Sequence, residues 1–394
     1  MRIGRTLPPA AAPLEIRDLF HGIAGALSPA RALRAREQEL REELAVRQVF
    51  LVSSGTAALT VALTALKRLS PRTEVVLPAY TCFSVPAAVL KVGLRPVLCD
   101  INESTFDFDR AQLQTLLRPE TLCVVSHHLF GIPSDVERTC AICRAHNIFV
   151  IEDAAQAMDV GGNRRAPGTM GDVGIFSFGR GKNITCGSGG IIATNSDRIA
   201  AAIDEQYRDL PSPPWWHTLK DAAALVFMAF FIRPRLHWVP AALPFLGLGT
   251  TEFPRTISLR RLSGFKAGLL RNWRRHLVRS NRMRSAAAAD LRRRLHMSSS
   301  SASARPLLRL PVLAPNPDEK QKLYLASKAR GLGVSAAYPT SIDEIPELRA
   351  AVGERTFPSA ADVASRLVTL PTHQWLLEQD KQALVDLWRD FRSA

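Results

Sequence analysis

Between residues 45 and 200, short apolar runs alternate with longer stretches whose apolar positions recur every three or four residues. The short runs read as strands at 49–52, 74–77, 95–99, 122–126, 149–152, 174–177 and 190–194. The longer stretches read as helices at 57–68, 84–92, 109–117 and 134–146, and a charged helix over 31–43 leads into them. Strand–helix alternation predicts a mostly parallel central sheet with helices on both faces. From about 256 the pattern changes. Residues 259–295 read as helical and arginine-rich, and 298–304 as a Ser/Ala-rich linker. Residues 307–313, 333–337 and 366–370 read as strands of a smaller α+β C-terminal domain, and 374–391 as a closing helix. The expected organisation is a large α/β domain (1–205), a hydrophobic insertion (206–255) and a small α+β domain (256–394) that begins with the arginine-rich helix. No internal repeat is visible.

The insertion changes the picture. Residues 222–232 are eleven apolar residues in a row. Arg233-Pro234-Arg235 ends the run, and 236–248 is again mostly apolar. Neither half reaches the ~20 residues a bilayer-spanning helix needs. Together they read as an interfacial or re-entrant hairpin, or as a hairpin at a subunit interface. Residues 251–310 carry fifteen Lys+Arg, fourteen of them Arg, against Glu252 and Asp290; this net +13 is most of the chain's +15. An apolar hairpin beside a dense cationic segment predicts docking on an anionic membrane surface through 222–248 and the basic 255–309 segment. The charge lacks a nucleic-acid recognition motif, so no nucleic acid is expected.

Hydrophobic content of 46% with 22% charged residues is that of a folded, soluble chain. Residues 1–13 lack an apolar core followed by a cleavage site, so no signal peptide is expected. Six scattered cysteines, several in apolar runs, predict reduced, buried thiols and a cytoplasmic setting. Cys140, Cys143 and His146 share one helix stripe without a second ligand pair, so no metal is expected.

The candidate chemistry centres on Lys182, in Ser177-Phe178-Gly179-Arg180-Gly181-Lys182-Asn183-Ile184-Thr185. Before it come Ser53-Ser54-Gly55-Thr56, a small-residue turn leading into a helix, and Ile151-Glu152-Asp153-Ala154-Ala155-Gln156, a strand ending in a carboxylate. A phosphate turn at a helix N-terminus, a carboxylate at a strand end and then a lysine in a glycine-flanked loop is the order expected for pyridoxal phosphate (PLP). The cofactor needs an amine for a Schiff base, a carboxylate against its pyridine nitrogen, and N–H and hydroxyl donors for its phosphate. The proposed residues lie at strand ends or in the following loops, where α/β sheets bind ligands.

Beyond this local chemistry, the chain resembles the DegT/DnrJ/EryC1/StrS aminotransferases. The resemblance is carried in order by Ser53-Ser54-Gly55-Thr56-Ala57-Ala58-Leu59, Leu77-Pro78-Ala79-Tyr80-Thr81, Arg95-Pro96-Val97-Leu98-Cys99-Asp100-Ile101 and His128-Leu129-Phe130-Gly131. Glu152-Asp153-Ala154-Ala155-Gln156-Ala157, Gly171-Asp172-Val173-Gly174-Ile175-Phe176-Ser177-Phe178, Lys182-Asn183-Ile184-Thr185, Gly189-Gly190 and Leu370-Pro371-Thr372-His373 follow. It runs from about residue 14 to the end, with a poor match over 205–260.

The resemblance implies the fold of the fold type I PLP-transferases and a homodimer. It implies transamination from an amino acid, glutamate, to a keto-sugar on a nucleotide carrier, in polysaccharide or amino-sugar biosynthesis. It implies that Lys182 holds PLP and moves the proton, that Asp153 meets the pyridine nitrogen and that Gln156 meets the phenolic oxygen. Ser54, Gly55, Thr56 and Ser177 would bind phosphate. Where the family often has a ring-stacking aromatic, Cys82 stands, with Phe83 next; either Phe83 substitutes or the stacking is lost. The family's Gly-Glu-Gly-Gly is here Gly187-Ser188-Gly189-Gly190. Its Gly-x-Asn-x-Arg segment, which reaches the neighbouring subunit's phosphate, has no clear match here; Thr256-Ile257-Ser258-Leu259-Arg260-Arg261 stands roughly in its place, with Arg260 or Arg261 as the candidates for that role. Two other readings use the same fold: a sugar dehydratase-like PLP reaction, disfavoured because the lysine is present, and a non-catalytic membrane-associated scaffold or regulator. The expected location is cytoplasmic, peripheral on the inner face of the cell membrane.

Overall fold

The computed structural model describes residues 3–160, 166–243, 251–297 and 305–391. The chain runs α1 (Ile16–Leu27), α2 (Pro29–Leu44), β1 (Gln48–Val52), α3 (Gly55–Leu69), β2 (Glu74–Pro78), α4 (Ser84–Lys91), β3 (Arg95–Cys99), α5 (Arg110–Leu116), β4 (Thr121–His127), α6 (Val136–Arg144), β5 (Phe149–Asp153), β6 (Val173–Ser177), β7 (Gly190–Thr194) and α7 (Asp197–Asp209). It continues α8 (Trp215–Phe231), α9 (Trp238–Ala241), α10 (Gly264–Leu269), α11 (Trp273–Arg294), β8 (Arg309–Leu313), α12 (Pro317–Arg330), α13 (Arg349–Val352), α14 (Pro358–Arg366), β9 (Leu367–Pro371) and α15 (Glu378–Asp390).

The large sheet has the order β1-β7-β6-β5-β4-β2-β3. The run β6-β5-β4-β2-β3 is parallel, and β7 is antiparallel to both β6 and β1. Its strands are buried on both faces. Val75 and Leu77 join the core under α3 and α4, while Val76 between them joins the core under α5 and α6. β8 and β9 form a separate antiparallel pair.

All seven predicted strands of the large sheet are present within a residue or so, as are the four predicted helices among them. Residues 333–337 do not form a strand. Only Ser335 bridges to Thr369, because Gly333 and Ala337 on either side have positive φ, +73° and +53°, which turns the chain out of extended pairing. The insertion is not a symmetrical hairpin: α8 begins seven residues before the apolar run, a turn follows, and α9 is a single helical turn. Residues 244–248 of the predicted hairpin and the linker 298–304 lie outside the described residues.

The segment read as one arginine-rich helix over 259–295 is instead α10 and α11 joined by a short 3-10 turn, with 259–263 outside any helix, and it spans both cores. Leu262, Phe265, Trp273 and Leu277 pack with Leu51 and Phe176 of the large body, whereas Ala288, Leu291 and Leu295 pack with Leu310 and Leu370. α1 was not predicted, since Gly22 and Gly25 lower its intrinsic propensity. Those glycines let it approach α10 at backbone distance: a Cβ on Gly25 would lie 2.3 Å from the Gly264 carbonyl oxygen.

Candidate active site

Ser54 ends the turn after β1 in extended conformation, and its Oγ accepts from the Ala57 N–H at 3.0 Å, which starts α3. The positive end of a fifteen-residue helix therefore faces the space beyond Gly55 and Thr56. β6 and β7 close the other side. Ser177 ends β6, and its Oγ accepts from the Gly179 N–H at 3.2 Å, leaving its own proton to donate. Ser188, in the place of the family's glutamate, donates to the Ser53 carbonyl and so ties the two glycine-rich turns together.

Asp153 ends β5, where parallel pairing sets it beside His127 of β4. One carboxylate oxygen accepts from the Ala155 N–H at 3.0 Å. Gln156 lies in the following turn. Its Oε1 accepts from the Phe130 N–H at 3.1 Å, and its Nε2 donates to the Tyr338 hydroxyl at 3.0 Å. Asp153 and Gln156 share one cavity of about 210 Å³ with Lys182, Ser54, Gly55, Thr56 and Ser177. Burial holds the Lys182 amine below the ordinary lysine range, opposed by Cys82 and Asp153 and reinforced by Arg309. A lowered pKa favours the free amine, which is the nucleophilic form. The lysine loop is anchored next door: Asn183 Nδ2 donates to Asn281 Oδ1 of α11 at 3.0 Å, and Asn281 Nδ2 donates to the Met158 carbonyl at 2.9 Å.

Two buried histidines support the carboxylate strand. His127 Nε2–H donates to the Phe106 carbonyl at 2.8 Å, and its Nδ1 accepts from the Thr81 hydroxyl at 3.0 Å. That pattern fixes the neutral tautomer, consistent with burial lowering its pKa. His128 Nδ1 accepts from the Ser134 N–H, so Nε2–H faces Glu152 at 2.8 Å. Glu152 also accepts from the N–H groups of Met170 and Gly171. Burial pushes Glu152 up, but these donors hold it below the usual range.

One sequence-predicted residue lies elsewhere. Phe83 is buried in the core at the N-cap of α4, 6.1 Å from the Tyr338 ring, and does not line the cavity. The wall where an aromatic was expected is made by Cys82 and Ser84, whose Sγ and Oγ are 3.0 Å apart. Of the two candidate arginines, Arg261 is occupied within its own chain. It donates to the Tyr207 and Arg208 carbonyls and lies 5.0 Å over the Tyr207 ring. Arg260 lines a second cavity of about 310 Å³ with Ser53, Ser54 and Thr56, on the phosphate-turn side. The structure adds two residues from the C-terminal body. Tyr338 holds Gln156, and Arg309, bonded to Ser335 Oγ at 3.2 Å, lies near enough to bias both Lys182 and Tyr338.

The donor set fits PLP: a buried lysine amine, a strand-end carboxylate and a helix N-terminus with hydroxyls, all on one cavity. Comparison with known proteins agrees with this architecture. The structure matches that of Helicobacter pylori PseC, an aminotransferase involved in the biosynthesis of pseudoaminic acid, with a TM-score of 0.80 over 99% of this chain and 100% of that one, at 18% identity. The fold and site define a protein of the fold type I class. Residues 24–213 match the DegT/DnrJ/EryC1/StrS aminotransferase family. The chain is 36% identical over 165 residues to GDP-perosamine synthase of Caulobacter vibrioides, covering 42% of this chain and 44% of that protein. It is 34% identical over 186 residues to the UDP-N-acetyl-3-dehydro-alpha-D-glucosamine 3-aminotransferase of Acidithiobacillus ferrooxidans, covering 47% and 49%. The match thus spans about half the length of these curated relatives.

Proposed function

We propose that this protein is a PLP-dependent aminotransferase that moves an amino group from an amino acid, glutamate, to a nucleotide-linked keto-sugar in glycan biosynthesis. The observation that carries the reading is the meeting of Lys182, Asp153 and the Ser54/Gly55/Thr56/Ser177 turn in one cavity. When bound, PLP supplies an electrophilic carbon and an electron-accepting ring. Lys182 offers the amine that meets that carbon. Displaced by the donor's amine, Lys182 would stay in the cavity as the base that takes the donor's α-proton and the acid that delivers it to the cofactor's aldehyde-derived carbon. Asp153 keeps the ring nitrogen protonated. The hydroxyls and N–H groups at the start of α3 hold the phosphate, and Gln156, fixed by Phe130 and Tyr338, orients the ring. Nitrogen leaves the donor, which departs as 2-oxoglutarate, and replaces the sugar's carbonyl oxygen, which departs as water.

The same reading includes a homodimer, with Arg260 on the phosphate side of the site, and a cytoplasmic, peripherally membrane-associated setting. Incubation with PLP, glutamate and a nucleotide-linked keto-sugar, followed by mass spectrometry, tests the chemistry. Equal amounts of 2-oxoglutarate and aminated nucleotide-sugar are expected. Loss of a sugar hydroxyl without nitrogen gain would replace transamination by dehydration, and no product from any keto-sugar would overturn both.

A further inference from the structure

Two touching helices present apolar side chains outward on the same surface. α8 packs inward through Leu225 and Ala229, yet its outer stripe carries Leu219, Phe227 and Phe230, 59%, 45% and 44% exposed. A helix apolar on both faces is built for something other than water on its outside. α1 repeats the arrangement. Gly22 and Gly25 seat it on α10, while Phe20, Ile23 and Leu27 stand 67%, 55% and 81% exposed at helical spacing on the opposite side.

The surroundings say what covers this surface. Arg275 and Arg279 of α11 reach Glu15 at the start of α1, at 3.5 and 3.8 Å, and Arg17 joins the same carboxylate; all three guanidinium groups remain largely exposed. Arg233 and Arg235 follow α8 directly, both exposed. The helices' own carboxylates are taken up, Asp18 by His276 and Asp221 by Lys266, so Glu15 stands among five arginines around the apolar stripes. Pairing this face with itself across a two-fold axis would bring like charges together. Trp215 and Trp216 sit at one end of α8, 71% and 50% exposed, the placement tryptophan takes at a membrane–water interface. Among the described residues no helix is long and apolar enough to cross a membrane.

We infer that the α1–α8 surface docks on an anionic lipid bilayer, both helices lying in the interface with the arginines on phosphate head groups. The inference rests on the peripheral setting proposed above and assigns it to a surface that includes α1.

Flotation of the full chain with phosphatidylcholine vesicles, with and without phosphatidylglycerol, tests it, alongside the double variant Phe20→Ser/Phe230→Ser. Both positions are exposed and outside the cavity, and light scattering and circular dichroism on the same samples report mass and fold. The wild type is expected to float with the anionic vesicles only, with the variant's partitioning reduced roughly tenfold or more. Flotation of variant and wild type alike would overturn this surface and leave the peripheral setting intact. A wild type that floats with neither vesicle overturns both, and a variant of smaller solution mass in that case assigns the face to contact between copies. The visible band of bound PLP, recorded on the same samples, reports the enzymatic reading separately.

Discussion

Gly55 and Ser177 meet so closely that no side chain fits between them. A Cβ on Gly55 would lie 2.9 Å from the Ser177 Cβ and 3.1 Å from its hydroxyl. The contact joins the start of α3 to the end of β6 and sets the width of the phosphate turn. Gly55→Ala must therefore push the hydroxyl out of place at a cost of about 1–3 kcal/mol. PLP titration should show a roughly tenfold or greater loss of affinity, with an unchanged circular dichroism spectrum. Unchanged affinity would remove Gly55 and Ser177 from the phosphate site.

Asp153→Asn keeps an acceptor for the Ala155 N–H but removes the charge that holds the ring nitrogen protonated. PLP binding should survive. The half-reaction with glutamate, followed by stopped-flow absorbance, should slow on the order of 10²-fold or more. A wild-type rate would show that Asp153 does not face that nitrogen.

Glu152 is wholly buried and accepts from His128 and two backbone N–H groups. Glu152→Ala leaves these donors without a partner and should cost about 3–5 kcal/mol by denaturant unfolding. Its pKa is depressed in the folded state, so its contribution is complete above the ordinary value of 4.5 and is lost as pH falls through the lower folded value. The wild type should accordingly lose stability in that acid window, and the variant should lose less there.

Arg284 is fully buried and has only neutral partners among the described residues. Its guanidinium donates to the carbonyls of Leu308 at 2.7 Å and Ala11 at 2.6 Å, and to Thr372 Oγ1 at 3.3 Å. Burial lowers its pKa to about 9. It pins the N-terminal arm, which His373 also holds through the Pro8 carbonyl, and Ala10 of that arm faces Gly181 beside Lys182. Arg284→Met should cost about 3 kcal/mol through the acceptors left bare and raise hydrogen exchange over residues 5–12. Unchanged exchange would show that the arm is held without it.

The large sheet and the cofactor lysine were legible because each is a local signal. A strand end, a small-residue turn and a glycine-flanked loop can be read without knowing what they touch. Phe83 was assigned to the cavity because it follows the departure at Cys82. The chain direction after β2 instead turns Cys82 and Ser84 into the cavity and Phe83 into the core. Tyr338 is 182 residues from Gln156, and nothing near Ala337-Tyr338-Pro339 signals that contact. α1 escaped notice, since Gly22 and Gly25 lower its intrinsic propensity and only α10 supplies the surface they fit. Its outer face could be recognised as apolar and unpartnered only once the helix was in place.

The most direct test of the central claim is borohydride reduction of the PLP-loaded protein, followed by peptide mass spectrometry of wild type and Lys182→Ala. The account predicts a single phosphopyridoxyl modification at Lys182, absent from the variant, and a visible band that glutamate bleaches in the wild type alone. Modification at another lysine, or an identical spectrum in both proteins, would contradict it.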